Sequence, residues 1–436
     1  MVSGGVIPGS TIKARVLKSR KSVIEAQYLE TMIHSPMERD LPEHYQVYGG
    51  CKWLPIQYSE QLRIKEAQIA ECFGQMRSTI EDHRPVFHPI VPSPETEGYR
   101  NKLEFSFGKY ISAKEEIHDD FRFGFHASGA FDRIIDCTYC VLASERVNEL
   151  FRKINTLTRE SGLPTYDPKT QKGFYRHLVI REVKSTGDIM VIWSMNTLDP
   201  DYMAHPERFD TVWQSLRDES NIVSMLLLKN TGKADIVTGD LSTLFGVDWI
   251  EDTLLGKKFD LGPKSFFQTN TTGAEVLYSL ARSQIRAPGG ILLDLYAGTG
   301  TMGILFADLF EKVYSVEIVP EASAHANKNA TKNKITNFEA IALPVEKFVE
   351  DFRAKGGMAN TILLDPPRDG MHPSAIPEIL AFSAREIIYV SCNPSTLVRD
   401  LQGLCATEMY RITDITPMDM FPHTHHIETV VRLERK

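Results

Sequence analysis

From residue 262 onward, short apolar runs alternate with amphipathic stretches. The runs are ILLDL (291–295), VYSVE (313–317), FEAIA (338–342), TILLD (361–365) and EIIYVS (386–391). Apolar segments of this length, spaced by helices, suit strands buried on both faces of a parallel sheet. Helical patterns fill the intervals near 303–311, 320–332, 344–354, 374–383 and 394–403. Two further runs, near 409–415 and 427–433, have no helix between them and predict an antiparallel, hairpin-like end. The pattern predicts an α/β unit with a doubly covered sheet.

The preceding chain is organised differently. Residues 11–30 alternate polar and apolar, which predicts two short strands of a small β module. Prolines 36 and 42 punctuate the chain, and Tyr58–Met76 has helical period and composition. Between about 85 and 260, strand-like runs such as LEFSFGKY, HLVIREV, DIMVIWSM and SMLLLK mix with charged turns, as in an α+β region. The expected division is a β module over 1–45, a central region over 46–261 and the α/β unit over 262–436.

Composition narrows the function classes. The 436 residues are 42% hydrophobic and 24% charged, which is ordinary globular usage. No run approaches the ~18–20 apolar residues of a membrane span, and the first residues have no apolar core like that of a secretory signal. Six cysteines in this length are too few for a disulfide scaffold. A soluble, cytoplasmic protein is expected, with no membrane partner. The net charge of −8 argues against nonspecific nucleic-acid binding and leaves specific binding open. One basic patch, Lys13, Arg15, Lys18, Arg20 and Lys21, has a solvated strand face as its simpler reading.

The first strand of the α/β unit runs into Asp294-Leu295-Tyr296-Ala297-Gly298-Thr299-Gly300-Thr301-Met302-Gly303. Gly298, Gly300 and Gly303 satisfy G-x-G-x-x-G, and Glu317 ends the next strand 19 residues after Gly298. Such a loop serves a dinucleotide or S-adenosylmethionine, since both need close backbone approach and a carboxylate for a ribose diol. Asp294, before the loop, suits a cationic cofactor better than a diphosphate. The loop alone does not choose between them.

The later strands end in Asp365-Pro366-Pro367-Arg368 and Ser391-Cys392-Asn393-Pro394. In open α/β sheets the ligand lies outside the carboxyl ends of the strands, so Gly298, Glu317, Asp365 and Cys392 are expected to converge. Cys392 precedes a helix that opens with Pro394, where the helix dipole can lower a thiol pKa, and it reads as a nucleophile. Cys72 and Cys405 sit inside helical patterns and read as small buried hydrophobes. The run His423-Thr424-His425-His426 lacks the spacing of a zinc site, so no metal is expected. Glu428, opening a strand beside a proline-containing loop, is placed as a general base would be.

At this point the chain resembles the S-adenosylmethionine-dependent RNA 5-methyluridine (uracil-C5) methyltransferases. The resemblance is carried by SFFQTN (265–270), DLYAGTGTMG (294–303), LLDPPRDG (363–370), YVSCNPSTLVRDL (389–401) and MDMFPHTHHIETVV (418–431). YRNKLEFSFG (99–108) and YRHLVIR (175–181) are similar to the family's central segment. It implies a Rossmann-like class I methyltransferase sheet and an RNA-facing central region. It also implies a cofactor site lined by Gln268, Tyr296, Gly298, Glu317 and Asp365, with Thr301 where some relatives carry Asn. Cys392 matches the nucleophile and Glu428 the base; Arg368, with Asp365, would orient the ring or the cofactor. Arg368 also stands where amino-methyltransferases carry a stacking aromatic residue.

The family chemistry accounts for these residue types. A thiolate added to uracil C6 makes C5 nucleophilic, splitting one hard step into two easier ones. The C5 proton is then removed, and the target base must leave its stack to reach the cleft. The alternatives are a methyltransferase of another nucleobase and a non-catalytic RNA-binding protein.

Two segments depart from the family pattern. Some members carry an iron–sulfur cluster on four cysteines; Gly49-Gly50-Cys51 and Cys140 match, but two ligand positions hold Pro42 and Tyr48. No cluster is expected. The N-terminal segment resembles only the second half of a small β-barrel RNA-binding module. Ribosomal RNA is favoured over transfer RNA, because the Gly-Gly-Cys remnant and partial module look like those relatives, and a monomer is expected.

Overall fold

A computed structural model describes residues 2–3, 6–20, 23–41, 50–112, 117–127, 133–219 and 221–436. Its C-terminal sheet is the α/β unit read from the pattern. Phe338–Ala342, Lys312–Glu317, Ile291–Leu295, Thr361–Leu364 and Glu386–Ser391 lie side by side in that order, all parallel. Leu292, Leu293, Leu295, Ile362, Leu363, Ile387 and Ile388 are all 0% exposed. This burial explains why the runs are apolar without alternation. The chain lays its second and third strands on one side of Ile291–Leu295, then crosses to the other. That reversal opens a crevice at the carboxyl ends of the strands.

Glu428–Arg435 then runs antiparallel to Glu386–Ser391, with Ser391 opposite Thr429. Tyr410–Met418 pairs antiparallel beside it, and the two-residue strand Val86–Phe87 closes that edge. The register sets Cys392, one residue beyond Ser391, next to Glu428, one residue before Thr429. Backbone pairing therefore brings the thiol and the carboxylate together. The helix after Cys392, Pro394–Cys405, starts with proline at its first turn and Asn393 as its cap, whose side chain accepts from Ser395 N–H.

The central sheet is antiparallel except for one parallel pair, Ile189–Met195 with Ile222–Lys229. One face packs aromatic rings, with Phe107 stacked on Phe123 at 4.1 Å and Phe105 on Phe151 at 4.4 Å. The other face joins the C-terminal core through Val179, Met190, Ile192 and Leu226. The helix Tyr58–Phe73 packs elsewhere. Its Ile69 and Phe73 enter the core of the C-terminal sheet with Leu397, Leu401 and Ile412, so packing groups this helix with the α/β unit.

The N-terminal strands are longer than the pattern suggests. Thr11–Arg20 and Val23–Ile33 form an antiparallel ladder with a short third strand, Val2–Ser3. The basic patch on it is opposed by acids: Lys13 pairs with Glu30 at 3.1 Å, and Lys18 lies opposite Glu25. Lys21 and the side chain of Arg20 lie outside the described residues. No described helix is long and apolar enough to cross a membrane.

Candidate active site

The nine residues singled out by sequence line one cavity of about 1110 Å³. Gln268, Tyr296, Gly298, Thr301, Glu317, Asp365, Arg368, Cys392 and Glu428 all face it. The volume exceeds the usual ~300–1,000 Å³ of a small-molecule site, leaving room for a second ring beside a cofactor.

The glycine loop divides into a packed part and an open part. A Cβ on Gly303 would meet Asp294 Oδ2 at 2.6 Å, and one on Gly300 would meet Ala326 and Phe338 at 2.9 Å. Over Gly298 the nearest atom is Phe266 Cδ1 at 4.0 Å, so backbone is laid bare toward the cavity. Tyr296 holds φ +62°, a left-handed conformation uncommon outside glycine. Glu317 anchors the loop, since Oε2 accepts from Gly298 N–H and Oε1 from Val319 N–H, both at 3.0 Å.

Asp294, read from the sequence as suiting a cationic cofactor, is not among the residues lining the cavity. It lies 1% exposed beneath the loop, with Oδ2 accepting from Ser315 Oγ at 2.8 Å and Gly303 N–H at 3.1 Å. Burial pushes its carboxyl up to about 6, against the lowering effect of those two bonds. Its contacts fix the loop shape.

In the cavity wall, Glu428 is 4% exposed, and burial pushes it up to about 7 although Arg368 pulls it down. Asp365 is pushed well above the ordinary carboxylate range by burial, then by Glu428 and Asp294. Cys392 corrects the expectation drawn from the helix dipole. Burial, Glu428 and Asp365 push its thiol up to about 11, and only Arg368, by charge and hydrogen bond, draws it down. Desolvation comes first, and the two carboxylates add to it. Arg368 Nη2 lies 3.2 Å from the His426 ring nitrogens, and its carbonyl accepts from Asn393 Nδ2 at 2.9 Å and Thr396 Oγ1 at 3.1 Å. The Asp-Pro-Pro-Arg turn is thereby tied to the helix that follows Cys392.

The cavity also takes in residues the sequence reading did not single out. Phe266 is 68% exposed at its wall, whereas Phe267 is buried; a Phe-Phe pair reads as core, and only its place in SFFQTN marks it. Tyr278 and His426 line the wall as well. Of the remaining histidines, His423 is buried against Gln61, with Nδ1 2.9 Å from Nε2. Cys51, Cys137 and Cys140 are buried in the central core. Cys405 is buried and Cys72 half-buried, while Pro42, Tyr48 and Gly49 lie outside the described residues.

Comparison with known proteins places this geometry in context. Residues 244–436 match the family model described as tRNA (Uracil-5-)-methyltransferase. A Clostridium tetani protein described as an RNA methyltransferase is 36% identical over 434 residues, 99% of this chain and 91% of that protein. One from Bacteroides thetaiotaomicron is 35% identical over 442 residues, covering 98% and 95%. The solved structure of the Pyrococcus abyssi tRNA (uracil-54, C5)-methyltransferase with S-adenosyl-L-homocysteine superposes with TM-score 0.76. It is 25% identical, over 99% of this chain and 95% of that one.

Proposed function

The chain belongs to the S-adenosylmethionine-dependent RNA (uracil-5) methyltransferases, and from that premise we propose how its own residues act. They methylate C5 of one uridine, through a covalent bond between Cys392 and C6 of the base. The observation that carries this reading is the convergence of Cys392, Glu428 and Arg368 in one cavity whose wall also includes the open glycine Gly298.

The residues present fit the cofactor. Bare backbone over Gly298 and the carboxylate of Glu317 suit a ribose and its neighbours, with Gln268, Tyr296, Thr301 and Asp365 around them. Bound there, S-adenosylmethionine supplies an electrophilic methyl group.

The protein's part is to make uracil C5 nucleophilic and then release it. The Cys392 thiol gives its proton to solvent, the resulting thiolate forms a bond to C6, and the C5–C6 electron pair shifts toward C5 and the ring carbonyl. The cationic guanidinium of Arg368 favours both the thiolate and this enolate. After C5 gains its methyl group it still carries a proton. Glu428 takes that proton, the C5–C6 double bond re-forms, and the C6–S bond breaks to return the thiolate. A carboxylate at about 7 is near the operating pH, where a general base is most effective. The base reaches the cavity only when unstacked from its RNA.

Ribosomal RNA is the substrate put first, supported by the Gly49-Gly50-Cys51 remnant in the sequence and the partial N-terminal β module. Transfer RNA is the second reading, favoured by the tRNA activity in the name of the Pyrococcus abyssi protein. The test is nucleoside mass spectrometry on unmodified ribosomal and transfer RNA, separately incubated with S-adenosylmethionine and enzyme. 5-Methyluridine in the ribosomal sample with the parent, and none with Cys392→Ala, is expected. Product in transfer RNA alone would overturn the first substrate choice, and product with Cys392→Ala the nucleophile.

A further inference from the structure

The segment Asp419–Ile427 links the last two strands, carries His426 and leads into Glu428. It is held from outside the cavity. His423 adopts φ +66°, a conformation that a non-glycine residue keeps only where its surroundings over-determine it. They do so through the helix Tyr58–Phe73 and its approach. Gln61 Oε1 accepts from His423 N–H at 2.8 Å, while Gln61 Nε2 lies 2.9 Å from His423 Nδ1. Trp53 N–H donates to the His423 carbonyl at 3.0 Å, and the Tyr99 hydroxyl donates to the Pro422 carbonyl at 3.0 Å.

One turn along the same helix, Lys65 Nζ donates to Asp419 Oδ1 at 2.7 Å and to the Phe421 carbonyl at 3.3 Å. Both side chains of the ion pair are 0% exposed, and 354 residues separate them in sequence. A Lys–Asp pair taken wholly out of water is often no more stabilising than an apolar pair of similar volume. Stability alone therefore does not call for it. Neither Gln61 nor Lys65 lines the cavity. Their bonds do share one target, the loop that sets His426 against Arg368 and Glu428 in the cavity.

We infer that Gln61 and Lys65 are positioning residues, which fix the Asp419–Ile427 loop so that His426 meets Arg368 and Glu428 faces Cys392. This rests on the roles proposed above for Arg368, Cys392 and Glu428. The helix thereby acts on the site through the loop, without touching substrate.

The test uses the full chain. Lys65→Met leaves a buried carboxylate without its cation and is expected to melt lower. The apolar pair Lys65→Met with Asp419→Leu removes that penalty, and its melting temperature is expected to recover above that of Lys65→Met, short of the parent's because Asp419 Oδ1 also accepts from Phe421 N–H. In the pair variant kcat for methylation is expected at least tenfold below the parent, with KM for RNA and cofactor affinity within twofold. Alkylation of Cys392 by iodoacetamide, read by mass spectrometry and needing no RNA, is expected to slow at least threefold as Arg368 loses its support.

A parent-like kcat, a parent-like alkylation rate, or a raised KM with kcat retained overturns the inference. If the pair variant does not fold, Gln61→Met is judged by the same criteria. Methylation surviving in Cys392→Ala would remove the covalent step alone, because the clamp is read from kcat.

Discussion

Replacing Glu428 with glutamine should make the protein more stable above neutral pH while stopping its chemistry. The carboxyl is 4% exposed, and burial raises it from 4.5 to about 7. At about 1.4 kcal/mol per pKa unit, ionised Glu428 costs the fold up to about 3 kcal/mol. The sign follows from proton linkage, since the folded state holds this proton more tightly than the unfolded chain. The cost is therefore absent below about pH 4.5, grows as pH rises toward 7 and is constant above. Glutamine keeps the shape and never ionises.

An unfolding entropy of about 2.1 cal/mol/K per residue over 436 residues turns this gain into a rise of about 3 °C in Tm. The assay is thermal unfolding of Glu428→Gln and the parent at pH 4.5 and pH 8.5. Equal Tm at pH 4.5 and a higher Tm for the variant at pH 8.5 are expected. Equal values at both pH values, or a less stable variant at pH 8.5, would refute the argument from burial.

The other predictions concern the cavity. Gly303→Ala forces a Cβ to 2.6 Å from Asp294 Oδ2 and should lower Tm; Gly298→Asn meets no such neighbour, tolerates the φ of +55° there, and should keep a closer-to-parent Tm while losing cofactor binding in calorimetry. Glu317→Ala removes the acceptor of Gly298 and Val319 N–H. At ~1.5–3 kcal/mol for a charged hydrogen bond, a 10- to 100-fold weaker cofactor Kd is expected. Arg368→Gln removes the group that holds the Cys392 thiol down to about 11 against burial and two carboxylates, so alkylation of Cys392 at pH 8 should slow, with parent-like rates counting against that role. Methylation by the parent should fall as pH drops through about 7, where Glu428 becomes protonated, and a flat profile from pH 5 to 8 would contradict it.

Much of this arrangement is legible in the sequence because it depends on short-range pattern. EIIYVS coincides with the observed strand Glu386–Ser391, and TILLD differs from Thr361–Leu364 by one residue, since strands buried on both faces leave unbroken apolar runs. Site residues at strand ends follow from the sheet itself. What depends on packing across the chain is hidden. Nothing near Lys65 in sequence announces a carboxylate at Asp419, and the helix that bears it shows the same periodicity whichever core it joins. The position of Asp294 under the loop is set by Ser315 on the neighbouring strand. The raised Cys392 thiol arises from Glu428 and Asp365, which only register and strand order bring near. A local argument from the following helix sees one influence and misses burial and the two carboxylates.

The most direct measurement of the central claim is a denaturing gel of end-labelled RNA incubated with S-adenosylmethionine and Glu428→Gln. With no base to take the C5 proton, the Cys392–C6 bond should persist, so a slow-moving protein–RNA band that resists denaturation is expected. The band should disappear when Cys392→Ala is added to the same variant. No band with Glu428→Gln, while 5-methyluridine still forms at the parent's rate, would contradict the account.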